Sequence, residues 1–166
     1  MDGDATNHVN RLIGKDIRLR GGTMAVLLVI EDDEAMRKLM VRTLSTGKHK
    51  VLQAENGREG LALMDEHTPD IVITDILMPQ KEGIETIREV QERAPDTRII
   101  AVSGGGMSHN LMFLDVARAL GADAVLAKPF RPAQLMAAVE QVLSEIGSAG
   151  RKESGRNRPR AAKDRS

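Results

Sequence analysis

The sequence predicts an α/β fold built on a doubly wound parallel sheet. Three observations carry that expectation. Five short apolar runs recur along the chain, at residues 26–30, 50–54, 71–74, 98–102 and 124–127. They are mostly continuous rather than alternating, as strands covered on both faces must be. Between them lie segments whose apolar residues fall at helical spacing. Strand and helix thus alternate five times, which calls for a parallel sheet with helices on both faces.

Each element has its own local signals. After the strand at 26–30, residues Ala35, Met36, Leu39, Met40 and Leu44 mark the core face of a helix that Gly47 stops. A shorter second strand covers 50–54. Leu61 and Met64 lie on a helix over 58–66, and Pro69 closes the link to the strand at 71–74. Ile84, Ile87 and Val90 mark the next helix, which Pro95 ends before the strand at 98–102. A helix over 111–120 has Gly121 as its C-terminal cap. After the strand at 124–127, Pro132 suits the first turn of a last helix. Its face is Leu135, Met136, Val139, Val142, Leu143 and Ile146. The nine methionines mostly fall on such faces and read as packing.

At 166 residues the chain has room for one ordinary domain and its flanks. The expected division is an N-terminal extension at 1–23, a globular domain at 24–147 and a disordered basic tail at 148–166, with Met24 a candidate biological start. The formal net charge of zero hides an asymmetry. Residues 147–166 hold seven Lys/Arg and two Asp/Glu, whereas residues 23–146 hold 13 and 19. An acidic body argues against nucleic acid as the partner of the folded part. With Phe113 and Phe130 the only aromatic residues, a base-stacking platform has no material. The absence of cysteine excludes disulfides and a thiolate nucleophile. No apolar run approaches the length of a membrane span, and the N-terminus does not read as a secretory signal. A cytoplasmic protein is expected.

The chemistry sits at the ends of the apolar runs, where an open α/β sheet presents its ligand groups. Glu31-Asp32-Asp33-Glu34 follows the first run, Asp75 the third, and Lys128-Pro129 the fifth. Acids also cap helices. Four in a row are more than capping needs, and their mutual repulsion calls for a cation. Mg²⁺ takes oxygen ligands, commonly one or two carboxylates with waters and phosphate oxygens. Asp75 can serve as a metal ligand or as a nucleophile that forms an aspartyl phosphate, and Lys128 is a point charge suited to a phosphate. The Lys128-Pro129 bond is a candidate for the cis isomer. Ser103 ends the fourth run, before Gly104-Gly105-Gly106, a stretch that lacks the Walker pattern. His8, His49, His67 and His109 show no metal-ligand spacing.

In combination these residues resemble the receiver domain of bacterial response regulators. The resemblance rests on Leu28-Val29-Ile30-Glu31-Asp32-Asp33-Glu34, on Ile73-Thr74-Asp75-Ile76-Leu77-Met78-Pro79 with Gly83 beyond it, on Ser103 and on Lys128-Pro129-Phe130, and covers roughly residues 24–147. It implies a flavodoxin-like five-stranded sheet of order 2-1-3-4-5. It implies Asp75 as phosphoacceptor, with Mg²⁺ held by Asp32 and Asp75 directly, by Glu31 mainly through water, and by the backbone carbonyl of Leu77. Ser103 then follows the phosphoryl group when the domain switches, and Lys128 pairs with its oxygens. The donor is a phosphohistidine on a sensor histidine kinase or a histidine phosphotransfer protein. Output passes to a downstream protein, or to a homodimer, through the face spanning 111–146.

Two features depart from the family pattern. Val125 stands where an aromatic residue often turns inward on activation. The segment between Ser103 and Lys128 is long and Gly-rich, leaving the helix over 111–120 room to shift. Gly104 after Ser103 leaves the phosphoryl site open to donors. A stand-alone receiver, a signalling protein rather than an enzyme acting on a separate substrate, is the leading expectation. A Mg²⁺-dependent phosphotransferase or phosphatase with an aspartyl intermediate would use the same acids and lysine, but Leu77 stands where its second acid would be. A phosphorylation-independent interaction module, or a protein anchored by its basic tail, are the remaining alternatives. Leu77 and Gly105 carry no polar group to orient an attacking water, so self-dephosphorylation is predicted to be slow. A phosphoryl half-life of seconds, followed by intact mass after removal of the donor, would overturn that expectation.

Overall fold

The computed structural model describes residues 24–76, 78, 82–104, 112 and 115–156. Five strands form one all-parallel sheet: β1 (Val26–Ile30), β2 (Lys50–Ala54), β3 (Ile71–Asp75), β4 (Arg98–Ser103) and β5 (Ala124–Ala127), in the order β2-β1-β3-β4-β5. The fold class, the order and the strand positions are those the sequence predicts, with β3 and β4 each one residue longer. Those two added residues are Asp75 and Ser103, both candidates for the site.

Helix α1 (Glu34–Ser45) follows β1, α2 (Gly57–His67) follows β2 and α3 (Glu82–Arg93) follows β3. Residues 115–119 are helical before β5, and α4 (Pro132–Arg156) follows it. Local chemistry explains the helix starts. Asp33 caps α1 by accepting from the Met36 amide at 2.7 Å, and Asn56 caps α2 by accepting from the Glu59 amide at 2.9 Å. The Glu59 carboxylate accepts in turn from the Glu55 amide at 2.9 Å. Gly121 has φ of 89°, as expected of a helix C-cap.

Alternation along the strands divides the core in two. Leu28, Ile30, Val72, Ile99 and Ala101 join Leu61, Met64, Ile87, Val90 and Ala117 in one cluster, under α2, α3 and residues 115–119. Leu27, Val29, Ile71, Ile73, Ile100 and Val102 are buried on the opposite face, as are Met40 and Leu44 of α1 and Leu135, Val139 and Val142 of α4. A methyl at Gly47 would lie 2.9 Å from Met136 Cε, which shows how closely the end of α1 approaches α4. Two buried or half-buried acids fasten the opposite, N-terminal end of the sheet. Asp70 accepts from the Val26 amide at 2.8 Å. Asp123 accepts from the Ile99 amide and from Arg98, both at 2.8 Å.

Two expectations need correcting. Leu39 is 43% exposed and Ala35 is also exposed, so the buried stripe of α1 is narrower than the sequence suggests and rests on Met40 and Leu44. The last helix does not stop near Gly147. Helix α4 runs to Arg156, so the stretch expected to be disordered is helical at its start. The reason is cooperative: adding a residue to a formed helix is far easier than nucleating one, and Ala, Arg, Lys and Glu offset the glycines there. The compact unit of the sheet covers Met24–Val142, and the rest of α4 lies beyond it. The helix expected over 111–120 is helical at 112 and 115–119, and its other early positions fall outside the described residues, as do Gly105, Gly106 and the extension at 1–23.

Gly83, in the first turn of α3, explains how that helix approaches β3. A methyl there would collide with the carbonyl oxygen of Asp75 and lie 2.6 Å from Ile76 Cα. On helix propensity alone, Gly83→Ala would stabilise by about 0.5–1 kcal/mol. Overpacking against rigid main chain costs about 1–3 kcal/mol. The expected outcome is net destabilisation of about 1–2 kcal/mol, read from urea unfolding; a stabilised variant would refute the close approach.

Candidate functional site

The carboxyl ends of β1, β3 and β5 bring three sequence-distant groups together. Lys128 Nζ donates to Glu31 Oε2 and to Asp75 Oδ2, each at 2.7 Å. Glu31 is 1% exposed and Asp75 5%. Asp32 completes the cluster from the exposed side: one carboxylate oxygen from each of Glu31, Asp32 and Asp75 lies within 4.8 Å of the others. The sheet produces this convergence, because β1 and β5 flank the central pair β3 and β4 at the same end. The Lys128-Pro129 peptide is cis, the isomer the sequence suggested.

The acidic run divides its labour. Glu31 and Asp32 face the cluster, Asp33 caps α1, and Glu34 pairs with Lys38 one turn on at 2.5 Å in solvent. Capping therefore falls to Asp33, while Glu31 and Asp32 belong to a group of acids that could hold a cation. Ser103, fully buried at the end of β4, lies beside Ala127 in the register, and its carbonyl accepts from the Lys128 amide at 2.7 Å. The expected ligand Leu77 lies outside the described residues, whereas Met78 beyond it is buried. Val125 is half-buried against the cluster under α2 and α3. At Gly104, the space a side chain would take is held by the stem of Lys128, whose Cδ would lie 2.9 Å from a methyl there. Gly104 thus seats the lysine.

Sequence reasoning missed Arg37. From α1 its guanidinium donates to the Glu31 carbonyl at 2.8 Å and approaches the Asp32 carbonyl at 3.5 Å. The available signal was its position one turn into a helix that starts at the acidic run.

Charge in this centre is finely opposed. Burial and the neighbouring Asp75 carboxylate push the Glu31 carboxyl above its usual range, more than the bond and charge of Lys128 pull it down. For Lys128, burial favours the neutral amine, but its bonds to Asp75 and Glu31 prevail and hold the ammonium above its ordinary value. The lysine therefore stays charged through the neutral range.

A donor set of three carboxylates suits a hard divalent cation such as Mg²⁺, and the exposure of Asp32 gives that cation a route from solvent. The Asp75 carboxylate also has an ammonium at hydrogen-bond distance. Buried acids beside a cation at the carboxyl end of a parallel sheet are what the family resemblance requires. A family profile described as the response regulator receiver domain matches residues 27–140. The chain belongs to the response regulator receiver family. This receiver domain is 32% identical over 123 residues to the chemotaxis protein CheY of Bacillus subtilis, across 73% of the chain and 100% of that protein. It is 34% identical over 118 residues to the response regulator MprA of Mycolicibacterium vanbaalenii, across 70% of the chain but 49% of that protein, so the chain spans about half the length of that relative. Among solved structures, CheY4 of Vibrio cholerae matches with a TM-score of 0.65 and 30% identity, over 72% of the chain and 99% of CheY4. A CheY-like receiver protein of Methanospirillum hungatei JF-1 matches with a TM-score of 0.69 and 25% identity, over 76% of the chain and 99% of that protein. The protein is thus a receiver of the two-component signalling class, and among the described residues no helix is long and apolar enough to cross a membrane.

The raised Glu31 carboxyl has a measurable sign. The folded protein holds that proton more tightly than the unfolded chain, whose value is 4.5. The contribution of Glu31 to stability is therefore most favourable below that pH and declines as pH rises through the window above it. In EDTA, Glu31→Gln is expected to gain stability relative to the wild type between pH 4 and pH 7. Thermal unfolding at the two pH values checks this, and a difference that does not change with pH would refute it.

Proposed function

We propose that this receiver accepts a phosphoryl group from a phosphohistidine donor onto Asp75. The carrying observation is the single centre in which Lys128 touches both Asp75 and Glu31 at 2.7 Å while one carboxylate oxygen from each of Glu31, Asp32 and Asp75 lies within 4.8 Å of the others. Glu31, Asp32 and Asp75 would hold Mg²⁺, with the Leu77 carbonyl as a further ligand by resemblance. The cation would supply charge neutralisation for the phosphoryl oxygens. One Asp75 oxygen attacks phosphorus, the bond from phosphorus to the histidine nitrogen breaks, and the imidazole leaves with the electron pair. Such transfer depends on positioning and electrostatics more than on covalent machinery from the protein. Lys128 exchanges its carboxylate contact for a phosphoryl oxygen, and Ser103, at the adjoining strand end, follows the new group.

Signalling is then a population shift: the phosphoryl group favours the arrangement that binds it best, and the surface connected to Ser103 and Lys128 changes with it. We assign the receiver to 24–147, flanked by an extension at 1–23 and a basic tail at 148–166. The donor is a sensor histidine kinase or a histidine phosphotransfer protein. The output partner, a downstream protein or a second copy, uses the face at 111–146. The protein acts in the cytoplasm and turns over no separate substrate.

Intact mass after incubation with Mg²⁺ and a small-molecule phosphodonor tests this reading. One added phosphoryl group is expected on the wild type and none on Asp75→Asn or in excess chelator. An adduct that survives Asp75→Asn, or none with either small-molecule or phosphohistidine donors, would overturn it.

A further inference from the structure

Arg37 stands three residues after the last of four consecutive acids, yet among the described residues it forms no ion pair. Its Nη1 donates instead to main-chain oxygen, at 2.8 Å to Glu31 and at 3.5 Å to Asp32. The side chain is half-buried and its own amide is engaged in the first turn of α1, donating to the Asp33 carbonyl at 2.8 Å. One end of Arg37 is thus fixed in the helix and the other grips the two peptides that carry the acidic pair. Lys128 holds the Glu31 carboxylate from the opposite side.

We propose that Arg37 is a positioning residue for the cation. Its guanidinium fixes the Glu31–Asp32 main chain, so that the exposed Asp32 carboxylate is presented toward Glu31 and Asp75. Asp32 needs such support. Asp75 lies within a strand and Glu31 is anchored through Lys128 and the Asp33 amide, at 3.2 Å. Asp32 lies between β1 and α1, and its carboxylate is exposed. Arginine suits the task because its planar, weakly hydrated donors bind oxygens at fixed angles, which an ammonium does not. This inference rests on the reading of the acidic cluster as a Mg²⁺ site.

The two ways Arg37 can act on a cation have opposite signs. As a mere positive charge near the cluster it repels Mg²⁺, and its removal tightens binding. As a positioning residue it pre-arranges ligands, and its removal weakens binding. Groups that orient metal ligands typically contribute about 10-fold or more in affinity, so about a 10-fold loss is expected for Arg37→Met. Mg²⁺ is titrated into the full chain and followed by amide NMR shifts, while hydrogen exchange of residues 31–34 is measured without metal. Weaker Mg²⁺ binding with faster exchange supports the proposal. Unchanged or tighter binding overturns it. Should Arg37→Met fail to fold, Arg37→Lys keeps the charge without the planar donors; weakened binding supports the proposal and equal binding overturns it. A wild type that does not respond to Mg²⁺ sinks the cation reading and this proposal together, whereas a wild-type response shared by Arg37→Met sinks the positioning role alone.

Discussion

One ammonium group holds the functional end of this domain together. Glu31 and Asp75 are both almost wholly enclosed, and two enclosed carboxylates repel each other strongly in a medium of low polarisability. Lys128 lies between them at hydrogen-bond distance from each. It ties the last strand chemically to the first and third, although the backbone ladder pairs β5 with β4. The rest follows from keeping that lysine straight. Gly104 leaves room for its stem, and the Lys128 amide is bound to the end of β4.

The same centre trades stability for chemistry. A buried pair of acids with one cation is electrostatically incomplete, which is why the Glu31 carboxyl lies above its usual range. An apolar trio would pack with less cost. What the arrangement retains is a group of carboxylates that could hold a further positive charge, with one Asp75 oxygen beside an ammonium. Buried groups with perturbed protonation cluster at functional sites for this reason.

Much of this was legible in the residues. Continuous apolar runs such as Val26–Ile30 cannot be amphipathic strands, and their spacing left few topologies open. Acids at strand ends pointed to the centre. Less was legible where side-chain direction decides. Asp70 and Asp123 also border strands, but at the amino end, where they bind main-chain amides. Nothing local in the sequence separates such an acid from Asp75; the polarity of the strand does. Leu39 and Leu44 read alike by period, yet Leu44 is covered and Leu39 is 43% exposed. Arg37 looked like an ordinary surface cation, since a pattern does not show whether a guanidinium meets a carboxylate or a carbonyl. The end of α4 was missed because composition describes a free segment, whereas here an existing helix extends into it.

The separation of 97 residues between Lys128 and Glu31 has a consequence during synthesis. A chain leaves the ribosome amino end first, and domains generally fold as units. Glu31, Asp32 and Asp75 emerge before their lysine exists. A nascent sheet of β1, β2 and β3 would gather three carboxylates at one end without the ammonium that bridges two of them. Bringing those carboxylates together before β5 is made carries a cost in mutual repulsion. The bridged centre can take its final form only once the last strand has arrived.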